Sequence, residues 1–506
     1  MTSEPVGSRP REVRPVALSR ICDLIGVPSA PGEVVGVSLA SNAVRPGDLY
    51  AALPGARTHG GRFAGDAVQA GAMAILTDPE GARIIAAADI PVLVVDNPRS
   101  VLGDVAALVY DQPAEHMLTI GVTGTQGKTT ATRLSESALL AAGHTPAVIG
   151  TIGTRIAGRD VRTALTTPEA PALHALFAAM REEGVNACTM EVSSHALVQG
   201  RVDGVVFDVA VFLNLGRDHL DFHGTVEDYF AAKASLFTPQ HARRAVINVA
   251  DEYGRRLAAT TTLPVTTFSA DGPADWTTHD VDASPSRTRA VFAGPEGVEV
   301  DVEVPLPGAF NVTNALAVVA ALATGGVDPV RAGSGIATSP GVPGRMQAID
   351  TGEGFQVVVD YAHKPDALEA VLSTLRPVTR GRLIAVIGAG GDRDTGKRSV
   401  MGEIAARLAD VVVVTDDNPR SEDPAEIRRA VCEGAESAEA EADVREIGDR
   451  ASAIAEAVMS AETGDCVLIA GKGHEQGQEV AGTLHPFDDV LQAREALRVR
   501  KEEGVR

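Results

Sequence analysis

Lysine is scarce in this chain. Of its 45 Lys and Arg side chains only six are lysine, at Lys128, Lys233, Lys364, Lys397, Lys472 and Lys501, and the rest are arginine. Coding bias accounts for the shortage. All but Lys501 lie in or beside a distinctive motif, and some of these are read as chemical, because an amine and a guanidinium are not interchangeable. Cysteine is scarce too. Cys22, Cys188, Cys432 and Cys466 are far apart and form no CxxC pair, which excludes a disulfide framework and a cysteine-rich zinc site. There is no basic surplus: the formal net charge is −22. That excludes a nucleic-acid or anionic-membrane binder, while a small anionic ligand needs only a locally basic pocket. No apolar run approaches the roughly 20 residues that span a bilayer. The opening MTSEPVGSRPREVRP has no apolar core of a secretory signal. No tandem repeat and no low-complexity segment is present. The expectation is a soluble, reduced, cytoplasmic monomer, ordered apart from the first dozen residues and the last few.

What is there is a length of 506 residues, enough for two to four domains. The block 1–116 has short apolar runs such as Ala74–Leu76 and Val92–Val95 between Gly/Pro turns, and reads as a small α/β domain. The block 117–342 opens with LTIGVTG and the helical pattern KTTATRLSESALLAAG, after which strands and helices alternate. That predicts a mostly parallel sheet with helices on its faces. Residues 264–305 turn to short β-rich sequence, expected as a small antiparallel section. The block 343–506 repeats strand–loop–helix units, RLIAVIGAGGDRD, DVVVVTDDNPR and DCVLIAGKGHE. Ligands of open α/β sheets bind at such carboxyl ends. The fold class is α/β in three domains: a first domain, a central P-loop ATPase domain with a parallel sheet, and a Rossmann-like third domain.

The segment GVTGTQGKTT, Gly121–Thr130, lies between strand and helix, as a phosphate-binding loop requires. Backbone N–H groups of Gly124, Thr125, Gln126 and Gly127 and the helix start favour phosphate oxygens. Lys128 reaches the β/γ-phosphates, Thr129 offers its hydroxyl to Mg²⁺, and Thr130 follows. Val122 stands where the strict motif has glycine. A dinucleotide GxGxxG reading fails at GAGGDRD, where Arg393 replaces the third glycine.

Further on, a helix is predicted from Thr225, with Asp228 completing a capping pattern. Tyr229, Leu236 and Phe237 fall on the face of Lys233. A lysine on an apolar face is rare, and desolvation lowers its pKa. Its neutral amine could then add CO₂ as a carbamate; the alternative is a lysine whose stem merely covers the core.

The ordered set TGTxGKTT, MEVSSH, NLxRDHLDFHG, AAKASLF, GRM, DYAHKPDAL, GAGGDRDxGKR, DDNPR and GKGHE resembles the Mur ligase family over residues 36–490, and within it the members that add meso-diaminopimelate. The resemblance implies an ATP-dependent amide ligase of peptidoglycan precursor synthesis. ATP phosphorylates the carboxylate of UDP-N-acetylmuramoyl-L-alanyl-D-glutamate, and the amine of meso-diaminopimelate attacks the acyl phosphate. It further implies that Thr129 and Glu191 bind one Mg²⁺, and that His219 and carbamylated Lys233 serve a second. His223 is read instead as satisfied by local hydrogen bonds. For ATP it implies Asn311 at adenine, Arg345 at phosphate and Asp360 at ribose, where the residues alone suggest a helix cap, a loop charge and a strand end. Leu39, Ser41 and Ala56, Arg57, Thr58 correspond to uridine-side contacts, although LASN here replaces an Asp-Ser-Arg run. Thr166, Thr167, Ser194, Gln199 and Arg201 correspond to contacts with the rest of that substrate. For diaminopimelate the implied contacts are Arg393, Asp417, Asn418, Pro419, Arg420, Gly471 and Glu475. Arg420 suits the second carboxylate, and lysine-adding relatives lack it.

The string DNPRS occurs twice, at Asp96–Ser100 and Asp417–Ser421, each after an apolar strand. Both copies read as a helix start with Asn as N-cap and Pro at N1. The preceding TD, the loop context and the resemblance together also mark the second as functional. Other readings stay open: a lysine-adding or folate-type ligase, and a nucleotide-binding switch without ligation.

Overall fold

In a computed structural model, residues 8–85, 88–284, 286–438 and 440–504 are described. Three α/β domains carry three main sheets. The first sheet has four parallel strands, Gly36–Ser38, Asp48–Ala52, Ala74–Thr77 and Val92–Val94. Alternation along Asp48–Ala52 splits its side chains between two cores. Leu49 and Ala51 join Leu102 and Val105, whereas Tyr50 and Ala52 join Ala64 and Ala67.

The central sheet has eight strands. Six are parallel, in the order Pro146–Gly150, Ala187–Glu191, Leu118–Thr123, Val209–Phe212, Ala245–Asn248, Val265–Phe268. The strands Gly153–Ile156 and Arg159–Val161 extend one edge in antiparallel fashion. Leu118–Thr123, first in the chain, thus lies between the third and fourth strands. The order reverses beside it, where open α/β sheets leave a crevice for ligands. The expected antiparallel section is corrected in part. Val265–Phe268 pairs in parallel with Ala245–Asn248 as the sheet's last strand, and only 277–304 forms a separate three-stranded sheet. VTTF is β-branched, and Phe268 buries fully once a parallel neighbour is present.

The third sheet runs Gln347–Ile349, Gln356–Asp360, Cys466–Ala470, Leu383–Ile387, Val411–Val414, Asp443–Glu446, and all but the first strand are parallel. Its near-continuous apolar strands are covered on one face by Ile454, Val458 and Leu497. A hairpin, Gly477–Val480 with Thr483–Pro486, follows the last parallel strand. These domains fall into two compact units, one holding the first two sheets and one the third. Among the described residues no helix is long and apolar enough to cross a membrane.

Candidate active site

The strand Leu118–Thr123 delivers its chain into the loop 124–127, and the helix Lys128–Ala141 starts at once. Val122 is an inward strand residue, 2% exposed. The glycines that matter come later. Gly127 has φ +87°, and a Cβ there would meet Asn314 Oδ1 at 2.3 Å. Asn214 Oδ1 accepts the backbone N–H groups of Thr125 (3.1 Å) and Gln126 (3.0 Å). Tyr229 Oη pairs with Thr125 Oγ1 at 3.1 Å. Lys128 Nζ donates to the carbonyls of Gly124 (2.6 Å) and Thr125 (3.1 Å), so its ammonium sits over the loop. Thr129 and Thr130 are buried in the first helical turn.

The helix Val226–Ala234 begins as expected, with Thr225 Oγ1 accepting from Asp228 N at 3.1 Å. It ends sooner than the pattern through Phe237, and Leu236 and Phe237 enter the core beyond its end. Lys233 is 1% exposed. Its Nζ donates to Gly124 O at 2.9 Å and lies 4.5 Å from the Tyr229 ring centroid. Burial lowers its pKa well below the ordinary lysine value. Repulsion from Lys128 adds to that, and Asp218 opposes it. Lys233 is therefore an inward amine touching the phosphate loop.

Glu191 ends the strand Ala187–Glu191 and is 1% exposed. It accepts Thr151 N at 2.8 Å and Thr151 Oγ1 at 3.0 Å. Among the described residues no cation forms a salt bridge with it, so this buried carboxylate has charge to spare. No three His, Cys, Asp or Glu side chains there cluster as a metal cage. A buried carboxylate without a cationic partner fits Mg²⁺, which keeps several waters and takes one or two protein carboxylates together with substrate phosphates. His219 precedes the short helix Leu220–His223 with φ +53° and lies 3.5 Å from Asp218. His223 bonds Ser194 Oγ at 2.9 Å, so its partner is distant in sequence rather than local. Burial lowers the pKa of His223, and His195 and Lys233 lower it further.

Around this centre the central domain joins half of the residues expected at the UDP-linked substrate. Thr166 pairs with Thr151 at 3.1 Å, and Thr167 donates to Glu191 O at 2.9 Å. Arg201 donates to Gln199 Oε1 at 2.6 Å and to Thr167 O at 3.2 Å, and faces Glu169 at 3.0 Å. Arg99 of the first DNPRS copy reaches the same network, at 3.0 Å from Glu169 and 3.2 Å from Gln199 O. It is carried by the helix Pro98–Val109, capped by Asn97 as expected. That helix approaches closely: a Cβ at Gly103 would lie 2.2 Å from Asp203 O. The uridine-side candidates stand apart. Leu39 packs on the first domain's core, Ser41 starts a turn, and Ala56, Arg57 and Thr58 lie in an exposed loop. Among the described residues no hydrogen bond joins these to the Thr166–Arg201 network.

In the third domain, loops at the strands' carboxyl ends gather the amino-acid candidates. The second DNPRS copy is a correction: no helix starts there, and the next begins at Pro424 with Asp423 as cap. Arg420 instead takes φ +53° and pairs with the hairpin. Its N–H donates to Glu479 O at 3.0 Å, and its carbonyl accepts from Ala481 N at 2.7 Å. Asn418 Oδ1 accepts from Lys472 Nζ and from Glu479 N, both at 3.0 Å. Asn418 Nδ2 donates to Glu475 Oε2 at 3.0 Å. Gly471 has φ +119°, and a Cβ there would meet Asp417 Oδ2 at 2.4 Å. Pro419 is buried and Arg393 exposed. Behind them Arg450 and Asp489, both buried, form a two-bond pair at 2.8 Å, and Arg450 also donates to Ala470 O.

Asp360 accepts Met346 N at 2.7 Å and Ala362 N at 2.8 Å, so one oxygen braces the GRM loop and the other the turn after its own strand. Its pKa is raised by burial, against Arg345 and those bonds. The Arg345 guanidinium lies 4.5 Å from the Tyr361 ring centroid. Asn311 lies in the first turn of Ala309–Thr324, bonded back to Pro307 O at 2.8 Å rather than capping it. Sequence reasoning passes over Thr151, Asn214, Asn314, Arg99, Lys472 and Glu479. Asn214, Arg99 and Lys472 sit inside quoted motif strings; Thr151, Asn314 and Glu479 lie outside them.

Residues 122–322 match the Mur ligase middle domain, 344–473 the Mur ligase glutamate ligase domain, and 33–110 the Mur ligase family catalytic domain. The chain is similar to a UDP-N-acetylmuramoyl-L-alanyl-D-glutamate–2,6-diaminopimelate ligase of Streptomyces coelicolor, 52% identical over 98% of this chain and 99% of that one. A ligase of the same name from Corynebacterium glutamicum is 50% identical over 93% of this chain and 94% of its own. A solved structure also titled as that ligase matches with a TM-score of 0.72 at 34% identity, covering 96% of this chain and 100% of its own.

Proposed function

Since the chain belongs to the Mur ligase family, we propose that it joins meso-diaminopimelate to UDP-N-acetylmuramoyl-L-alanyl-D-glutamate in peptidoglycan synthesis. It is an ATP-dependent ligase. The observation that carries the reading is identity running through all three domains to enzymes named for this reaction. The Arg420 loop supports the choice of amino acid, because a guanidinium fork suits the second carboxylate that lysine lacks.

The chemistry follows the donors. The loop Gly124, Thr125, Gln126, Gly127 and the helix start, with Lys128, hold the ATP phosphates in place; Thr130 backs the loop. An oxygen of the peptide carboxylate attacks the γ-phosphorus and ADP leaves. The diaminopimelate amine then attacks the acyl carbon, loses a proton, and phosphate leaves with the C–O bond electrons. Positioning and charge neutralisation do most of this. Thr129 and Glu191 would hold one Mg²⁺, and His219 with Lys233 a second; bound there, Mg²⁺ neutralises phosphate charge. We read Lys233 as carbamylated: its neutral Nζ bonds to CO₂ and releases one proton, leaving an anion beside the loop. Asn311, Arg345 and Asp360 are assigned to the nucleotide's far end. Leu39, Ser41, Ala56, Arg57, Thr58, Thr166, Thr167, Ser194, Gln199 and Arg201 are assigned to the UDP-linked substrate. Arg393, Asp417, Asn418, Pro419, Arg420, Gly471 and Glu475 are assigned to diaminopimelate. The enzyme is read as a cytoplasmic monomer, working where ATP is made.

The test is ADP release with the UDP-muramoyl dipeptide, Mg²⁺ and one amino acid at a time. Turnover is expected with meso-diaminopimelate and not with lysine, and Arg420→Ala is expected to erase the preference. Equal turnover with lysine removes the role given to Arg420. ADP release that ignores the amino acid removes the ligase reading.

A further inference from the structure

The chain passes from the first domain to the central domain through residues 110–116, and residues 9–13 run over the same junction as a strap. The strap is tied on both sides. Arg9 Nη1 donates to Asp48 Oδ1 at 3.0 Å and Oδ2 at 2.7 Å, at the start of a first-domain strand, with the two side chains 6% and 2% exposed. On the central domain, the backbone N–H groups of Arg11 and Glu12 donate to Glu182 Oε2 at 2.9 Å and Oε1 at 3.1 Å. Two successive amides on one carboxylate make a charge-assisted fork. Val13 then packs with Tyr110, Ala175 and Ala178. Val16–Ala17 returns the chain to the first domain by pairing with Glu33–Val34.

These central-domain contacts fall on one helix, Ala170–Glu182. Beside Glu182, Arg181 donates to Asp111 O of the link at 3.3 Å. At mid-helix the buried His174 pairs with Asp203 O at 3.1 Å, in the turn that Gly103 of the first domain approaches. Just before the first turn, Glu169 faces both Arg99 and Arg201 at 3.0 Å. The 13 residues of this helix make a stiff beam about 20 Å long. One end holds the strap. The other end meets the network assigned to the UDP-linked substrate beyond its uridine, whereas the uridine-side candidates lie on the first domain. A ligand that spans two bodies gains when they are held at the spacing it needs, because its second contact then forms at a high effective concentration. A ligand held by one body gains nothing from that spacing.

Taking the UDP-linked substrate from the proposed function, we infer that Arg9, Arg11, Glu12, Val13 and Glu182 are positioning residues that fix the first domain against the helix Ala170–Glu182 at the spacing one UDP-linked substrate needs to reach both of its half-sites. Glu182 touches no reacting group; it acts through the strap. Its effect falls on the substrate that spans the junction and leaves the phosphate loop and the amino-acid loops alone.

Arg9 is the wrong place to cut the tie, because its loss strands the buried Asp48 carboxylate and endangers the first domain. Glu182 is exposed, and Glu182→Ala removes only the acceptor. In that variant the KM for the UDP-muramoyl dipeptide is expected to rise about threefold to tenfold, with kcat and the KM values for ATP and meso-diaminopimelate nearly unchanged. UDP, which carries the uridine end and lacks the peptide, is expected to inhibit with an unchanged Ki. Glu182→Gln keeps one acceptor oxygen and is expected to fall between wild type and Glu182→Ala. Hydrogen exchange is expected to quicken at the amides of Arg11 and Glu12 while the urea midpoint stays nearly fixed, which a merely structural role would not give. Unchanged amide exchange, an unchanged KM, or a KM and a UDP Ki that rise together overturns the inference while the ligase reading stands. A wild-type enzyme that does not turn over the UDP-muramoyl dipeptide overturns both.

Discussion

Lys233 shows how far a single residue can be read before a fold is known. Its place on a face with Tyr229 is legible from helical spacing, and burial follows from the neighbours. Its contact with Gly124 O, 109 residues away in sequence, is not legible, because nothing local encodes which loop a helix will meet. Thr151 and Asn314 are hidden for the same reason: each is one polar residue made important by a partner from another strand or helix. The lowered pKa of Lys233 has a consequence for stability. The unfolded chain keeps this proton up to about pH 10.4, whereas the folded chain releases it at lower pH. Between those values the unfolded state binds more protons, so stability rises with pH there. In CO₂-free buffer Lys233→Met is expected to remove that part of the rise in the urea midpoint. Bicarbonate is expected to raise the wild-type Tm and leave Lys233→Met unmoved. Ligase turnover of the variant should fall by about a hundredfold, the scale for losing one placed charge stabiliser.

At the scale of elements, the two DNPRS strings show why the sequence reads one helix start correctly and the other not. An Asn N-cap is worth about 1 kcal/mol. At Asn97 nothing competes, and the helix Pro98–Val109 begins. At Asn418 the hairpin offers bonds to the same backbone and side chain, and the local preference loses. Strand positions were legible because apolar runs such as VVVV must be buried on both faces. Sheet membership of Val265–Phe268 was not, since it depends on a distant parallel partner. The helix Pro98–Val109 also carries a prediction. Gly103→Ala places a methyl where Asp203 O sits, so the helix must shift from the 199–204 turn. Overpacking of this kind costs about 1–3 kcal/mol. Urea unfolding should show that loss, and the KM for the UDP-linked substrate should rise, because Arg99 moves with the helix. The KM for the amino acid should hardly change.

For the molecule as a whole, the preference for guanidinium over amine leaves the surface almost without primary amines. Lys233 and Lys472 are buried, Lys128, Lys364 and Lys397 are half-buried, and Lys501, in the last helix, is exposed. Neutral or engaged amines inside a protein react slowly with bulky acylating reagents, whereas an exposed one reacts freely. Limited treatment with an N-hydroxysuccinimide ester is expected to modify Lys501 ahead of every other lysine, as peptide mapping by mass spectrometry would reveal, and to spare ligase turnover. Early loss of turnover, with label on Lys128 or Lys397, would contradict that order. A shortage that began in the coding sequence therefore ends as a practical property: a dye or a solid support can be attached through Lys501, far along the chain from the phosphate loop, without engineering a cysteine.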